Sequence, residues 1–297
     1  MISGSIRRIL AGVLTALLML AFGSGSGSGF TSLDSEEIKL NFTVLSDCHI
    51  EGNDFTTYRT FAKILRDAKS SETENDAIVF LGDNTMSGQE IESLFFYGAV
   101  NYIKPANQVI NVLGNHDIGN GEGDYEELLS RYMSYSNTFF ELGVQKPYYY
   151  KIINGCYFVV LATEKQTVNT AYISDEQYTW LRTVLDEAAE ENAPVFVFNH
   201  YPIYYLEGDA DALWEILEDY NNLLYFCGYT HIQMSESSFS NYNGVDTIWL
   251  PKSTESVDYE EQVGVQVEVY ETEIVVRARN FCTGEWMENL EYTYEID

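Results

Sequence analysis

Residues 109–117 read Val-Ile-Asn-Val-Leu-Gly-Asn-His-Asp. An apolar, strand-like run from Val109 to Leu113 stops at a glycine, and an amide, an imidazole and a carboxylate follow directly. The same pattern recurs along the chain. Lys39 to Leu45 runs into Ser46-Asp47-Cys48-His49, and Ala77 to Leu81 into Gly82-Asp83-Asn84. Val195 to Phe198 runs into Asn199-His200-Tyr201-Pro202, and Leu223 to Phe226 into Cys227-Gly228-Tyr229-Thr230-His231.

Helical spacing fills the intervals. Phe55, Tyr58, Phe61, Ile64, Leu65 and Ala68 share one helical face, and helices are expected over 89–102, 125–133 and 211–220. Ser174 with Gln177 forms a capping box for a helix reaching about Glu190. Tyr148–Ile153 and Tyr157–Leu161, joined by Asn154-Gly155, read as a hairpin. Beyond residue 232 the chain is strand-rich, with Val263–Tyr270 and Ile274–Arg279 as a pair. Strands alternating with helices, without an internal repeat, describe a single α/β domain.

The chain has four histidines, and each follows an apolar strand. A lone histidine is usually a packed core residue; four placed this way, each beside Asp, Asn or Gly, point to a site. Ligands of open α/β sheets bind where strands end. Asp47 and His49 are two residues apart, so an extended backbone directs both to one side. Imidazole, carboxylate and amide donors together suit a transition ion such as Mn, Fe or Zn, whereas calcium selects oxygen donors.

The ordered set Asp-x-His, Gly-Asp-Asn, Gly-Asn-His-Asp, Asn-His-x-Pro and Gly-x-x-His resembles the calcineurin-like metallophosphoesterase family, over about residues 40 to 297. The resemblance implies a four-layer αββα sandwich of two mixed sheets flanked by helices. It also implies two divalent or trivalent metal ions. Carried over, Asp47, His49 and His231 hold the first ion, Asp83 bridges both, and Asn115 and His200 hold the second. His116 then acts as general acid or transition-state hydrogen-bond donor, with Asp117 placed to orient or tune it. The implied reaction is hydrolysis of a small phosphate mono- or diester by a metal-activated water.

One position departs from that pattern. The family's last motif is Gly-His-x-His, and its first histidine binds the second ion; here Tyr229 stands there. Three outcomes are open: Tyr229 ligates as a phenolate, water or a carboxylate (Glu207, Asp209 or Asp211) fills the gap, or the second ion is weak or absent. The last outcome leads to the alternative of a degenerate, mononuclear or non-catalytic relative that acts by binding. Within the family, His49 and Met86 depart from the purple acid phosphatase branch, while Asn-His-Tyr-Pro at 199–202 is similar to it.

Composition narrows the partners. The 297 residues carry 16 Lys+Arg against 46 Asp+Glu, a formal net charge of -30. No basic cluster follows residue 30, which excludes a nucleic-acid binder. A phosphorylated small molecule is compatible, since bound cations invert the local field. Arg7 and Arg8 precede a short apolar run, Ile9 to Phe22. That reads as a signal peptide over 1–22, followed by a Gly/Ser linker over 23–29 and the functional domain over 30–297. Secretion is expected, with no stable membrane span after processing; an uncleaved N-terminal anchor is the alternative. Cys48, Cys156, Cys227 and Cys282 form no metal-binding spacing, and an exported protein permits either two disulfides or buried thiols.

Overall fold

The computed structural model describes residues 38–71, 73–208, 211–254 and 262–296, with 8, 9, 12, 13 and 15. The Gly/Ser linker, Asp209 and nearly all of the leader lie outside the described residues. Among the described residues, no helix is long and apolar enough to cross a membrane.

The first half of the chain builds one sheet and its cover. Strands β1 (Leu40–Leu45), β2 (Ala77–Phe80) and β3 (Gln108–Asn111) are parallel neighbours. Helices α1 (Phe55–Lys69) and α2 (Glu90–Ile103) supply the crossovers, which parallel strands require. Helix α3 (Tyr125–Phe139) follows. The second sheet starts with the hairpin β4 (Tyr149–Ile153) and β5 (Cys156–Val160). Helix α4 (Asp175–Glu190), β6 (Val195–Phe198), α5 (Asp211–Leu217) and β7 (Leu223–Cys227) come next, then β8 (Phe239–Tyr242) and β9 (Val245–Trp249). The chain then returns to the first sheet through β10 (Val263–Val269), β11 (Glu273–Asn280) and β12 (Glu285–Glu295). The two six-stranded sheets have orders β12-β11-β10-β1-β2-β3 and β4-β5-β6-β7-β9-β8.

The sheets pack face to face, as their apolar patterning demands. Phe42 of β1 meets Phe158, Phe196, Phe198 and Phe226 of the opposite sheet at ring-centroid distances of 4.9, 4.8, 6.4 and 6.5 Å. On the outer face of the first sheet, Phe61 of α1 and Phe96 of α2 pack on Phe80. On the outer face of the second, Leu181, Val184 and Leu185 of α4 and Leu213 and Trp214 of α5 share a core with Val195, Val197 and Tyr225. Four layers, helix–sheet–sheet–helix, result.

The expected α4 start is half right in mechanism. Ser174 Oγ caps the Gln177 amide, but the Gln177 side chain does not return to Ser174. It is buried instead, and bonds both the N–H and the carbonyl of Ala162, joining the helix to the end of β5. All four cysteines are buried free thiols. A buried ion pair ties the first sheet to α1: Arg279 Nε donates to Asp67 Oδ2 at 2.8 Å and its Nη2 to Oδ1 at 3.1 Å.

Candidate metal centre

The C-terminal ends of β1, β2, β3, β6 and β7 meet at one edge of the sandwich. Cross-links between the two sheets fix their relation. The His200 Nδ1 donates to the Leu81 carbonyl at 2.9 Å, and the Tyr229 amide donates to Asp47 Oδ2 at 3.2 Å. The chain turns sharply as it leaves the strands. Asp47, His49, Asp83, Tyr229 and His231 all have positive φ, between 42° and 69°. Side chains other than Gly and Asn rarely adopt this conformation, and each costs of order 1 kcal/mol. Asp47 and His49 therefore converge through two left-handed residues, not through the extended alternation expected from the sequence.

Two glycines make room for the carboxylates. A Cβ on Gly114 would lie 2.2 Å from both the amide nitrogen and Oδ1 of Asp83. One on Gly228 would lie 2.0 Å from Ser46 Oγ and 2.7 Å from Asp47 Oδ2. Backbone must approach the ligand carboxylates closely here, and only glycine permits it.

Asp47, His49, Asp83 and His231 present ligand atoms that all lie within 4.8 Å of one another. His231 Nε2 is 2.9 Å from Asp47 Oδ1 and 3.1 Å from His49 Nε2. His49 Nε2 is 3.6 Å from Asp47 Oδ1 and 3.8 Å from Asp83 Oδ2. Asp47, His49 and Asp83 are buried, while the His231 side chain is 38% exposed at the mouth.

His200 and Asn115 adjoin this group, and each is oriented by the bond its other end makes. A carbonyl only accepts, so Leu81 fixes the proton of His200 on Nδ1. Its Nε2 lies 3.2 Å from Asp83 Oδ2 and is a buried nitrogen without a hydrogen-bond partner. Asn115 Nδ2 donates to Asn120 Oδ1 at 2.9 Å, which leaves its buried Oδ1 without a partner. A buried imidazole lone pair beside a carboxylate, and an orphaned amide oxygen, are costly unless a cation or proton occupies the space between them. The donor set of carboxylate, imidazole and amide fits a transition ion.

The charges of these groups depend on one another. Burial alone raises the Asp47 carboxyl, but the surrounding His200, His231 and His49 hold it well below the usual carboxylate range. Burial opposes charge on His200, yet Asp83 and Asp47 outweigh it and push the imidazole up to about 9. Burial lowers His49 against the pull of Asp47 and Asp83.

His116 stands across from His49, with ring centroids 4.6 Å apart. Its backbone amide donates to Asp83 Oδ1 at 2.8 Å, and Nδ1 donates to the Met86 carbonyl at 2.6 Å. Nε2 is therefore the ring atom left for the cleft. Asp117, expected to orient or tune His116, bonds to the backbone around it rather than to its ring. Oδ1 accepts from the amides of Asn84 and Thr85 and from Thr85 Oγ1, and Oδ2 accepts from the Gly114 amide. Burial, then the charge of Asp83, pushes the Asp117 carboxyl up to about 6 against these donors. Asp117 is a positioning residue: it locks loop 84–85, next to the Met86 carbonyl that holds His116.

Tyr229 does not replace the missing histidine by reaching inward. Its ring packs on Tyr201, Tyr205 and His200 at 4.7, 5.0 and 5.7 Å, and its hydroxyl lies 3.5 Å from the Val168 carbonyl. Burial raises its phenol above the ordinary tyrosine value, with Tyr205 and Asp83 adding to it. Among the described residues, Glu207 and Asp211 do not join the converging ligand group, and the Glu207 carboxylate accepts from Thr170 Oγ1 at 2.9 Å.

Sequence reading missed two contributors. Ser46 Oγ donates to Asp47 Oδ2 at 2.5 Å, and Asn120 turns the Asn115 amide. Neither has a motif of its own; only proximity to the ligand motifs marks them.

The comparisons with known proteins agree with this geometry. Residues 40–233 match the family described as calcineurin-like phosphoesterase. No curated protein sequence matches the chain significantly. Among solved structures, a dimetal phosphatase from zebrafish (Danio rerio) is 15% identical, with a TM-score of 0.65. The match covers 88% of this chain and 100% of that one. A purple acid phosphatase from yellow lupin (Lupinus luteus) seeds is 12% identical with a TM-score of 0.61, covering 86% of this chain and 53% of that one. At these identities the structural likeness reports the fold.

Proposed function

The chain belongs to the calcineurin-like phosphoesterase family, and from that premise we propose that it is an exported, metal-dependent hydrolase of a small phosphate mono- or diester. The observation that carries the proposal is the buried convergence of Asp47, His49, Asp83 and His231, with the unpartnered atoms of His200 and Asn115 beside it. Asp47, His49 and His231 would hold one ion, Asp83 would contribute to both, and Asn115 and His200 would hold the other. Bound ions supply positive charge against the phosphoryl oxygens and a water acidified toward neutrality. No basic cleft is then needed, which agrees with a net charge of -30.

His116 handles the leaving group's proton. Its ring is fixed through Nδ1 on Met86, so Nε2 exchanges the proton with the departing oxygen. Asp83 Oδ1, by accepting the His116 amide, keeps the acid and the ligand set in register. The N-terminal Arg pair and apolar run support export, with 1–22 as the signal peptide, 23–29 as linker and 30–297 as the working domain.

A second reading, a mononuclear or non-catalytic binding protein, draws support from Tyr229, whose hydroxyl points to Val168. Elemental analysis of chain loaded in turn with Mn, Fe and Zn, then desalted, separates the two. Two equivalents per chain with phosphate-ester turnover are expected; one equivalent without turnover supports the second reading. His116→Ala is expected to cut turnover roughly 10²- to 10⁴-fold while metal content holds. Undiminished turnover in that variant would remove His116 from the reaction.

A further inference from the structure

The cleft above the metal ligands has a volume of about 420 Å³, in the lower part of the usual range for ligand pockets. Its metal-facing floor is Asp83, Asn115, His116 and His231, which leaves the remaining wall for the leaving group. That wall consists of Tyr205, Tyr229, Val168, Ile232, Thr230, Asn120 and Asn169. No Lys or Arg is among the described residues lining the cleft.

Resting on the phosphoesterase reading, we propose that this wall selects a leaving group bearing one planar, uncharged ring system, such as a nucleoside or a benzylic alcohol, and that Tyr205 is its specificity-determining residue. Three tyrosines form a graded pile from the core to the mouth. Tyr201 is fully buried, Tyr229 packs on it at 4.7 Å, and Tyr205 meets Tyr229 edge-on at 5.0 Å and 63°. Tyr205 remains 37% exposed. Its backbone is pinned on both sides: its amide donates to the Pro202 carbonyl at 2.9 Å, and its carbonyl accepts the Ala171 amide at 2.8 Å. A ring held in place before the substrate arrives loses little freedom on binding.

Val168, 41% exposed, and Ile232, 59% exposed, border the same space with apolar surface. Asn120 and Asn169 carry amides able to donate and accept at a heteroaromatic edge. A further phosphate would find no cation on this wall. A π-face finds a stacking partner, and such stacking is sequence-tolerant toward base identity.

The test uses the full-length, metal-loaded chain and substrate pairs with alike leaving oxygens. Adenosine 5′-monophosphate is compared with ribose 5-phosphate, and benzyl phosphate with cyclohexylmethyl phosphate. The ring-bearing member of each pair is expected to show a kcat/KM higher by roughly 5- to 100-fold. That ratio is expected to fall about tenfold in Tyr205→Ala and to persist in Tyr205→Phe. As a readout independent of turnover, calorimetric binding of adenosine to the metal-free chain is expected, and its loss in Tyr205→Ala. Ratios near one overturn the proposal, as do ratios insensitive to Tyr205→Ala. If no phosphate ester is turned over with any metal, the phosphoesterase reading fails; adenosine binding then decides the wall by itself, and its absence overturns the proposal too.

Discussion

Gly228→Ala tests whether close backbone approach shapes the metal centre. The added Cβ would sit 2.0 Å from Ser46 Oγ, 2.7 Å from Asp47 Oδ2 and 3.2 Å from Ser46 Cβ, where ordinary contact begins at 3.4 Å. Ser46 has little freedom to retreat. Its amide donates to Ser253 Oγ at 3.0 Å, and its carbonyl accepts the Ser253 amide at 2.9 Å. The hydroxyl must therefore swing away and abandon its 2.5 Å bond to Asp47 Oδ2. A hydrogen bond to a charged group is worth about 1.5–3 kcal/mol, and overpacking costs about 1–3 kcal/mol more. A loss of roughly 3 kcal/mol in stability corresponds to a fall in Tm of about 6–12 °C for a domain near this size. Disturbing a bond that orients a metal ligand costs about 10- to 100-fold in ion affinity. Thermal unfolding and calorimetric titration of the metal-free chain with Zn or Mn measure both. In the Ser46→Ala background the Oγ contact is gone, so Gly228→Ala is expected to cost at least about 1 kcal/mol less than in the parent, a coupling of neighbours. Wild-type Tm and ion affinity in Gly228→Ala, or strict additivity in the double variant, would refute the packing argument.

Three further outcomes follow from other parts of the structure. Asp117→Ala strands four donors in a buried loop and is expected to lower stability by about 3 kcal/mol or more, visible in thermal unfolding. His116→Ala, which removes one donor to the Met86 carbonyl, should change stability far less; equal Tm losses would contradict the separation of positioning from proton transfer. Tyr229→His is expected to tighten binding of a second ion by at least about tenfold in calorimetry; unchanged stoichiometry and affinity would show that position 229 is not the gap in the ligand set. Asp67→Ala removes the bidentate acceptor of the buried Arg279, with an expected cost of about 3–5 kcal/mol by denaturant unfolding; a loss under 1 kcal/mol would refute the contribution assigned to this pair.

The local sequence determined much of this protein. Short apolar or alternating runs, each followed within two residues by Gly, Asp or Asn, were enough to place β1, β2, β3, β6 and β7 and the polar residues after them. The hairpin at Asn154-Gly155 was equally legible, because a two-residue turn with positive φ at both positions demands those residues. The ligand types were legible because all four histidines sit at strand ends. What the sequence left open depends on contacts between segments far apart in the chain. The direction of Asp47 and His49 comes from left-handed backbone, stabilised by hydrogen bonds from the Asp47 and His49 amides to the carbonyls of Gly82 and Asp83. Asp117, expected to orient or tune His116, acts through neighbouring backbone: its carboxylate accepts from the Asn84 and Thr85 amides, more than 30 residues away in sequence, and from the nearby Gly114 amide. Tyr229 left three outcomes open, and the packing of its ring on Tyr201 and Tyr205, with its hydroxyl toward Val168, speaks only to the first of them, ligation by its phenol oxygen. Spacing along a strand encodes which residues arrive at the sheet edge. Only the packed sandwich, by closing hydrogen bonds between its two sheets, decides which way each side chain turns and which polar atoms remain for an ion.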